Sequence, residues 1–237
     1  MNRLQLAQSL IQEGGISGTI TTTLAQTGEL ARVVSWVDAA WNDIQTKHDD
    51  WDWMRSSALL GAGASFATVA GTFTYPLGTG AGTCGVTLAT FGKWVPSSFR
   101  CFTTTTGYTD EVFMGAIGFD AWRDGYMYGA QRSVQTRPTI VAIGPNKSVC
   151  VAPPPNAAYT IVGDYFTAPT AMAADLDTPT GLPAAYHMLI VYRALWKYGF
   201  YEAASEAIQR ASAEDKRMMS ELEGKYLPVL GWSGSLA

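Results

Sequence analysis

The densest cluster of reactive side chains is His48-Asp49-Asp50-Trp51-Asp52. An imidazole and carboxylates this close together could ligate a metal. A calcium loop, however, needs alternating oxygen ligands, a glycine and a distal Glu, and these are missing. The segment therefore reads as a solvated helix end or a charged contact spot. Asp120 and Asp124 share one helix face and could serve as a carboxylate pair; Arg123 beside them offers a simpler electrostatic role. The glycine-rich run 78–85 (GTGAGTCG) invites comparison with a phosphate cradle. A P-loop ends in Lys-Ser/Thr and opens a helix, whereas here Val86-Thr87-Leu88 continues as a strand, so a hairpin loop is expected. Gly61 to Phe66 (GAGASF) fails the dinucleotide fingerprint at its last position. His187 lies on an apolar helix beside Tyr186 and reads as a core or interface residue. With 2 histidines in the chain and no Gly-x-Ser-x-Gly, a histidine-based triad has little material. Cys84, Cys101 and Cys150 are widely spaced, without CxxC, and read as small buried hydrophobes in a reducing compartment. The expectation from these residues is no enzyme, no metal and no cofactor.

The composition points the same way. Charged residues make up 15% of the 237 residues and hydrophobic ones 47%, a low-charge balance that suits a protein burying its faces in an assembly. Net charge is −4 and no Lys/Arg cluster occurs, so a grip on nucleic acid is not indicated. The opening MNRLQLAQSLIQEGG lacks signal-peptide architecture. Ala58 to Gly71 is too short and too rich in Gly, Ser and Thr to span a bilayer. Asn146-Lys147-Ser148 matches a glycosylation acceptor and reads as a polar turn.

The elements that would position these groups follow a helix, strand, helix order. Residues 2–13 and 28–46 carry apolar stripes at helical spacing, the second through Leu30, Val33, Val34, Val37, Trp41 and Ile44. Thr27 can cap the second helix, and Trp51 and Trp53 would anchor its far corner. Residues 57–112 are rich in Gly, Thr, Val and Phe with regular turn signals, the pattern of short antiparallel strands. Strands are expected at 65–74, 84–90, 94–104, 111–117, 138–143, 148–152 and 157–166, with a short helix at 119–128. Pro183 then opens a helix apolar on almost every side, with Tyr186, Leu189, Ile190 and Leu195 in its core and Gly199 as its left-handed C-cap. An amphipathic helix begins near Tyr201. The expected fold class is α+β, a helical bundle formed by the N-terminal and C-terminal helices with an inserted antiparallel β domain. The expected divisions are 1–56, 57–166, 167–226 and a C-terminal arm at 227–237. That arm (Leu227, Val229, Leu230, Trp232) either packs on its own domain or is left disordered, or it inserts as an extended arm into a partner protein or a neighbouring copy.

Several of these segments together resemble a known family. Pro153 to Phe166 (PPPNAAYTIVGDYF) has prolines and tyrosines at the spacing P-x-P-x-x-x-Y-x-x-x-x-x-Y. It leads through Asp177-Thr178-Pro179 into Leu182-Pro183 and a helix of the pattern LP-x-x-x-H-x-x-I-x-x-x-A, followed by Tyr198-Gly199-Phe200-Tyr201-Glu202-Ala203-Ala204. Trp122-Arg123 and Arg137-Pro138 fit as well. The chain resembles the head-to-tail adaptor (connector, head-completion) proteins of tailed bacteriophages, most clearly over 119–226. That resemblance implies a structural virion protein of the neck and tail region, assembled in the host cytoplasm. It implies copies in a ring, typically of twelve, beneath the portal protein, with a tail or nozzle protein below. DNA would pass through the lumen without sequence-specific binding, and no membrane would be involved. Two other classes remain open: a β-sandwich binding module for carbohydrate or protein with an aromatic platform in 75–130, and a hydrolase using Asp120 or His48.

Overall fold

The computed structural model describes residues 1–228; the arm positions Val229, Leu230 and Trp232 lie outside the described residues. Helices α1 (Arg3–Gly14), α2 (Gly28–Lys47), α3 (Phe119–Tyr126), α4 (His187–Tyr201) and α5 (Ser205–Tyr226) accompany three small sheets. The chain divides into two compact units, one of residues 1–53 with 169–228, the other of 54–168. The fold class is thus α+β, a helical bundle into which a β unit is inserted.

In the helical unit, α4 packs against α1, α2 and α5. Leu6, Leu10, Trp41, Ile44, Leu189, Ile190, Leu195 and Leu222 are buried to 1% exposure or less, and Tyr186 to 5%. Asn2 caps α1 through a reciprocal capping box with Gln5. Thr27 stands at the α2 N-cap, but its side chain makes no capping bond. Trp51 is fully buried, donates its indole N–H to the Ile44 carbonyl and stacks on Trp53 at 4.3 Å. Three features differ from the sequence expectation. Pro183 precedes a 3₁₀ turn at Ala184–Tyr186, and α4 starts only at His187. Gly199 is no C-cap: α4 runs through it to Tyr201, and the left-handed residue is Ala203 at φ 54. A Cβ at Gly199 would stand 2.7 Å from Ile208 Cγ1, so this glycine lets α4 and α5 approach. The helix is also not buried on every side, because Trp196 is 40% exposed and Phe200 62%.

The polar centre of this unit is Arg3, which is 9% exposed. Its guanidinium donates to both Asp38 carboxylate oxygens at 3.0 and 2.6 Å, to Thr23 Oγ1 at 3.0 Å and to the Ala173 carbonyl at 2.8 Å. The backbone N–H groups of Arg3 and Leu4, unpaired within the helix, donate to the Asp177 and Asp175 carbonyls. Asp175 in turn accepts from the Thr22 hydroxyl at 2.6 Å and the Thr23 N–H at 2.5 Å. The carboxyls of Asp175 and Asp177 are held below the usual range, by hydrogen bonds from Thr22 and Thr23 and from the Ala174 and Ala173 N–H groups respectively.

In the β unit, strands β1 (Arg55–Ser56), β2 (Ala64–Ala67), β3 (Thr74–Tyr75), β4 (Phe91–Trp94), β5 (Arg100–Thr103), β6 (Val112–Phe113), β7 (Gly115–Ala116), β8 (Ile140–Ile143), β9 (Val149–Ala152), β10 (Tyr159–Gly163) and β11 (Tyr165–Thr167) form the sheets β1-β11-β4, β2-β10-β5-β6 and β3-β9-β8-β7. One core of Phe66, Tyr75, Phe91, Trp94, Phe99 and Ile161 draws on all three. The expectation of an antiparallel domain needs one correction: β7 pairs with β8 in parallel. The run 111–117 breaks at Met114, whose N–H donates to the Phe99 carbonyl, so its two halves join different sheets. Residues 84–90 are not a strand either. They contribute a single bridge, Gly78 to Val86, and then turn through a Thr87–Thr90 hydroxyl bond. Pro96 likewise divides 94–104 with a 3₁₀ turn.

Arg3→Met should lower the unfolding free energy by on the order of 3 kcal/mol in urea titration, the cost of breaking a buried pair from one side. A loss within error would show that the hub is dispensable. Leu195→Ala, at a fully buried site, should cost roughly 2–5 kcal/mol in the same assay.

Candidate functional site

The residues singled out for chemistry are mostly engaged in structure. His48 ends α2, lies edge-on to Trp51 at 5.0 Å, and its Nε2 reaches Glu223 Oε1 at 2.9 Å. Lys47 binds the same oxygen at 2.7 Å. Burial works against ionisation of Glu223, but the Lys47 and His48 bonds outweigh it and hold its carboxyl below the usual range. This knot ties the end of α2 to α5. Among the described residues no group of three or more His, Cys, Asp or Glu could hold a metal ion. Arg123 pairs with Asp120 at 3.1 Å and Asp124 at 2.9 Å on the surface of α3. The glycine-rich run 78–85 is a turn closed by the Gly78 N–H to Val86 carbonyl bond at 2.7 Å.

His187 is 6% exposed. Its Nδ1 faces the Met1 ammonium at 2.5 Å and its Nε2 faces the Leu182 carbonyl at 3.1 Å. The ammonium can only donate, so Nδ1 accepts and the ring is the neutral Nε2–H tautomer. Burial, aided by the Met1 charge, pushes the His187 pKa down against the pull of the Leu182 carbonyl. All three cysteines are free and buried, and burial pushes each thiol up.

What the surface does offer is apolar. On the helical unit Trp196 and Phe200 are exposed and pack edge to face on each other, and Tyr201 is exposed where it and Tyr198 meet Trp36. On the β unit Tyr108, Phe113 and Tyr128 are exposed, whereas Tyr75, Phe91, Trp94, Phe99, Phe102 and Trp122 of the expected aromatic platform lie in the core. A cleft of about 760 Å³ opens beside α3, floored by Trp122 and Phe119. At the end of α5, Leu227 is half-buried and its N–H still bonds the Glu223 carbonyl. The exposed Trp196 and Phe200 were not separated from the core by sequence reasoning. The signal was available in their i, i+4 spacing at the polar end of the helix. Among the described residues no helix is long and apolar enough to cross a membrane.

The model of the SU10 adaptor protein family covers residues 2–229, and the chain belongs to that family. No curated protein matches the chain significantly.

The His187 environment sets a pH dependence. A folded-state pKa below the unfolded value of about 6.5 means that the unfolded chain binds the extra proton first. Stability is then complete above that pH and falls as pH drops toward the folded value. The melting temperature should therefore fall between about pH 7 and 5, and His187→Gln should flatten that part of the profile. An unchanged slope in the variant would remove the assignment.

Proposed function

From membership of the SU10 adaptor protein family, we propose that this chain is a structural virion protein that joins the phage head to the tail. Copies form a ring, typically of twelve, under the portal protein, extend the DNA channel, and present a lower surface to a tail or nozzle protein. The protein assembles in the host cytoplasm and resides in the neck of the virion. The family match over nearly the whole chain is the observation that carries this reading.

The physical character of the chain supports it. A channel wall must let DNA slide. Phosphate contacts from clustered Lys and Arg would hold it, and the sequence has 16 such residues against 20 acidic ones, without a cluster. Large exposed aromatics at two places on the surface suit a protein whose partners are other proteins. His48 is engaged by Glu223 of α5, and Asp120 and Asp124 are engaged by Arg123 on the surface of α3. The segment beginning at Leu227 is the proposed fastening. Val229, Leu230 and Trp232 supply apolar side chains, and Pro228 ends the preceding helix, so an extended arm can reach the portal or a neighbour.

Removing residues 229–237 should abolish or sharply reduce attachment to portal-bearing heads, measured by co-sedimentation, while leaving the far-ultraviolet dichroism of the chain intact. Attachment at the full-length level would eliminate the arm as the fastening.

A further inference from the structure

One strand of the β unit has an unpaired edge. β2 ends the sheet β2-β10-β5-β6. The Thr68 N–H donates to the Tyr159 carbonyl at 2.8 Å, and Phe66 stands opposite Ile161, so these alternate residues turn their backbone toward β10. Ser65 and Ala67 turn theirs away, and among the described residues neither makes a backbone bond outside the sheet. Gly85 crowds one end of this edge. It holds φ 77, and a Cβ there would stand 2.7 Å from the Ser65 carbonyl oxygen.

Beside the same edge lies a slot of about 310 Å³, lined by Ser65 to Val69 on one side and Thr79 to Thr83 on the other. Apart from Phe66 and Val69 its lining is Gly, Ala, Ser and Thr, which lets another backbone come close. No lining residue is charged, and the chain carries no charged residue from Ser56 to Gly92. The rim is fixed: the Val69 N–H meets the Tyr75 hydroxyl at 3.1 Å, while the Val69 side chain is 48% exposed.

An open edge beside a slot accepts an extended peptide as a further strand; main-chain bonds hold it and alternate side chains select it. A charged strand would lose its hydration there without finding a partner. The chain itself contains a segment of the required kind. Beyond Lys225 it has no charged residue, and beyond Pro228 no proline. Along 229–237 a period of two puts Leu230, Trp232 and Leu236 on one side and Gly231, Ser233 and Ser235 on the other. At roughly 3.3 Å per residue the segment outreaches β2, which has 4 residues. We propose that residues 229–237 of one copy enter the slot of a second copy as an added strand on β2, meeting the free backbone groups of Ala67. The side of Gly231, Ser233 and Ser235 turns to the 79–83 loop, and Leu230 and Trp232 lie on the side away from it. A head-to-tail contact between identical chains needs two different patches on each copy, and arm and slot are two such patches. The inference rests on the reading that the arm fastens copies around a common channel, and it names the face that receives the arm.

The native cysteines are all buried, so disulfides report on introduced thiols. Chains carrying Ala67→Cys and chains carrying Ser233→Cys are mixed, added to portal-bearing heads, oxidised mildly and run on a non-reducing gel. The mixed disulfide should exceed either homodimer by roughly tenfold. The doubly substituted chain should give a ladder; a closed monomer instead puts the arm in its own slot and overturns the contact between copies. Ala81 is exposed on the loop wall of the slot. Ala81→Trp should fill the slot and cut head attachment by roughly tenfold, with unchanged far-ultraviolet dichroism. Attachment lost in this variant without any disulfide between copies gives the slot to a portal strand and also overturns the inference. A head-bound assembly with neither effect overturns the slot and leaves the ring reading standing. No assembly on heads by the unsubstituted chain fails the ring reading itself, and this inference with it.

Discussion

The helical unit depends on one buried cation. Arg3 has lost nearly all contact with water, and a charge in that position is tolerable only when its donors are answered. The answers come from α2 through Asp38, from the 16–27 connection through Thr23, and from the 169–182 linker through the Ala173 carbonyl. The exposed N–H groups at the start of α1 are met by the same linker. Segments far apart in sequence must therefore arrive together, and two stretches without helix or strand become fixed parts of the unit. The chain leaves this unit at residue 53 and re-enters it at 169. The linker held by Arg3 is thus also where the β insertion ends.

Much of this was legible in the sequence where periodicity is strong. The stripes of α1 and α2 and the apolar run of α4 were read directly, as was the helix, strand, helix order that makes the β part an insertion. The misses have physical causes. A glycine near a helix end gives the same signal whether it turns the chain or admits a neighbour, and Gly199 does the second. Two-residue strands such as β7 are too short for alternation to reveal direction, so the parallel pair with β8 was invisible. Threonine-rich and glycine-rich runs score as strands even where hydroxyl bonds close turns, as at Thr87 and Thr90. The Arg3 hub left only a faint trace, in polar residues (Thr22, Thr23, Asp175, Asp177) set within a chain poor in charge.

The candidate surfaces were less legible than the fold, and for a reason that bears on function. An aromatic side chain reads alike whether it fills a core or waits for a partner. Trp122 is in a core, whereas Trp196 and Phe200 at the end of α4 are exposed. The groups with chemical potential went the other way. His48, Asp120 and Arg123 are spent on ion pairs, and His187 on the Met1 ammonium and the Leu182 carbonyl. What is left available is shape and apolar surface, which is what a joining protein of the SU10 adaptor family would use.

The most direct measurement is electron cryo-microscopy of DNA-filled heads assembled with and without this chain. The expected result is a closed ring of its copies coaxial with the portal, with continuous DNA density through the centre and the ring missing when the chain is left out. Heads whose portal vertex is identical in both preparations would contradict it.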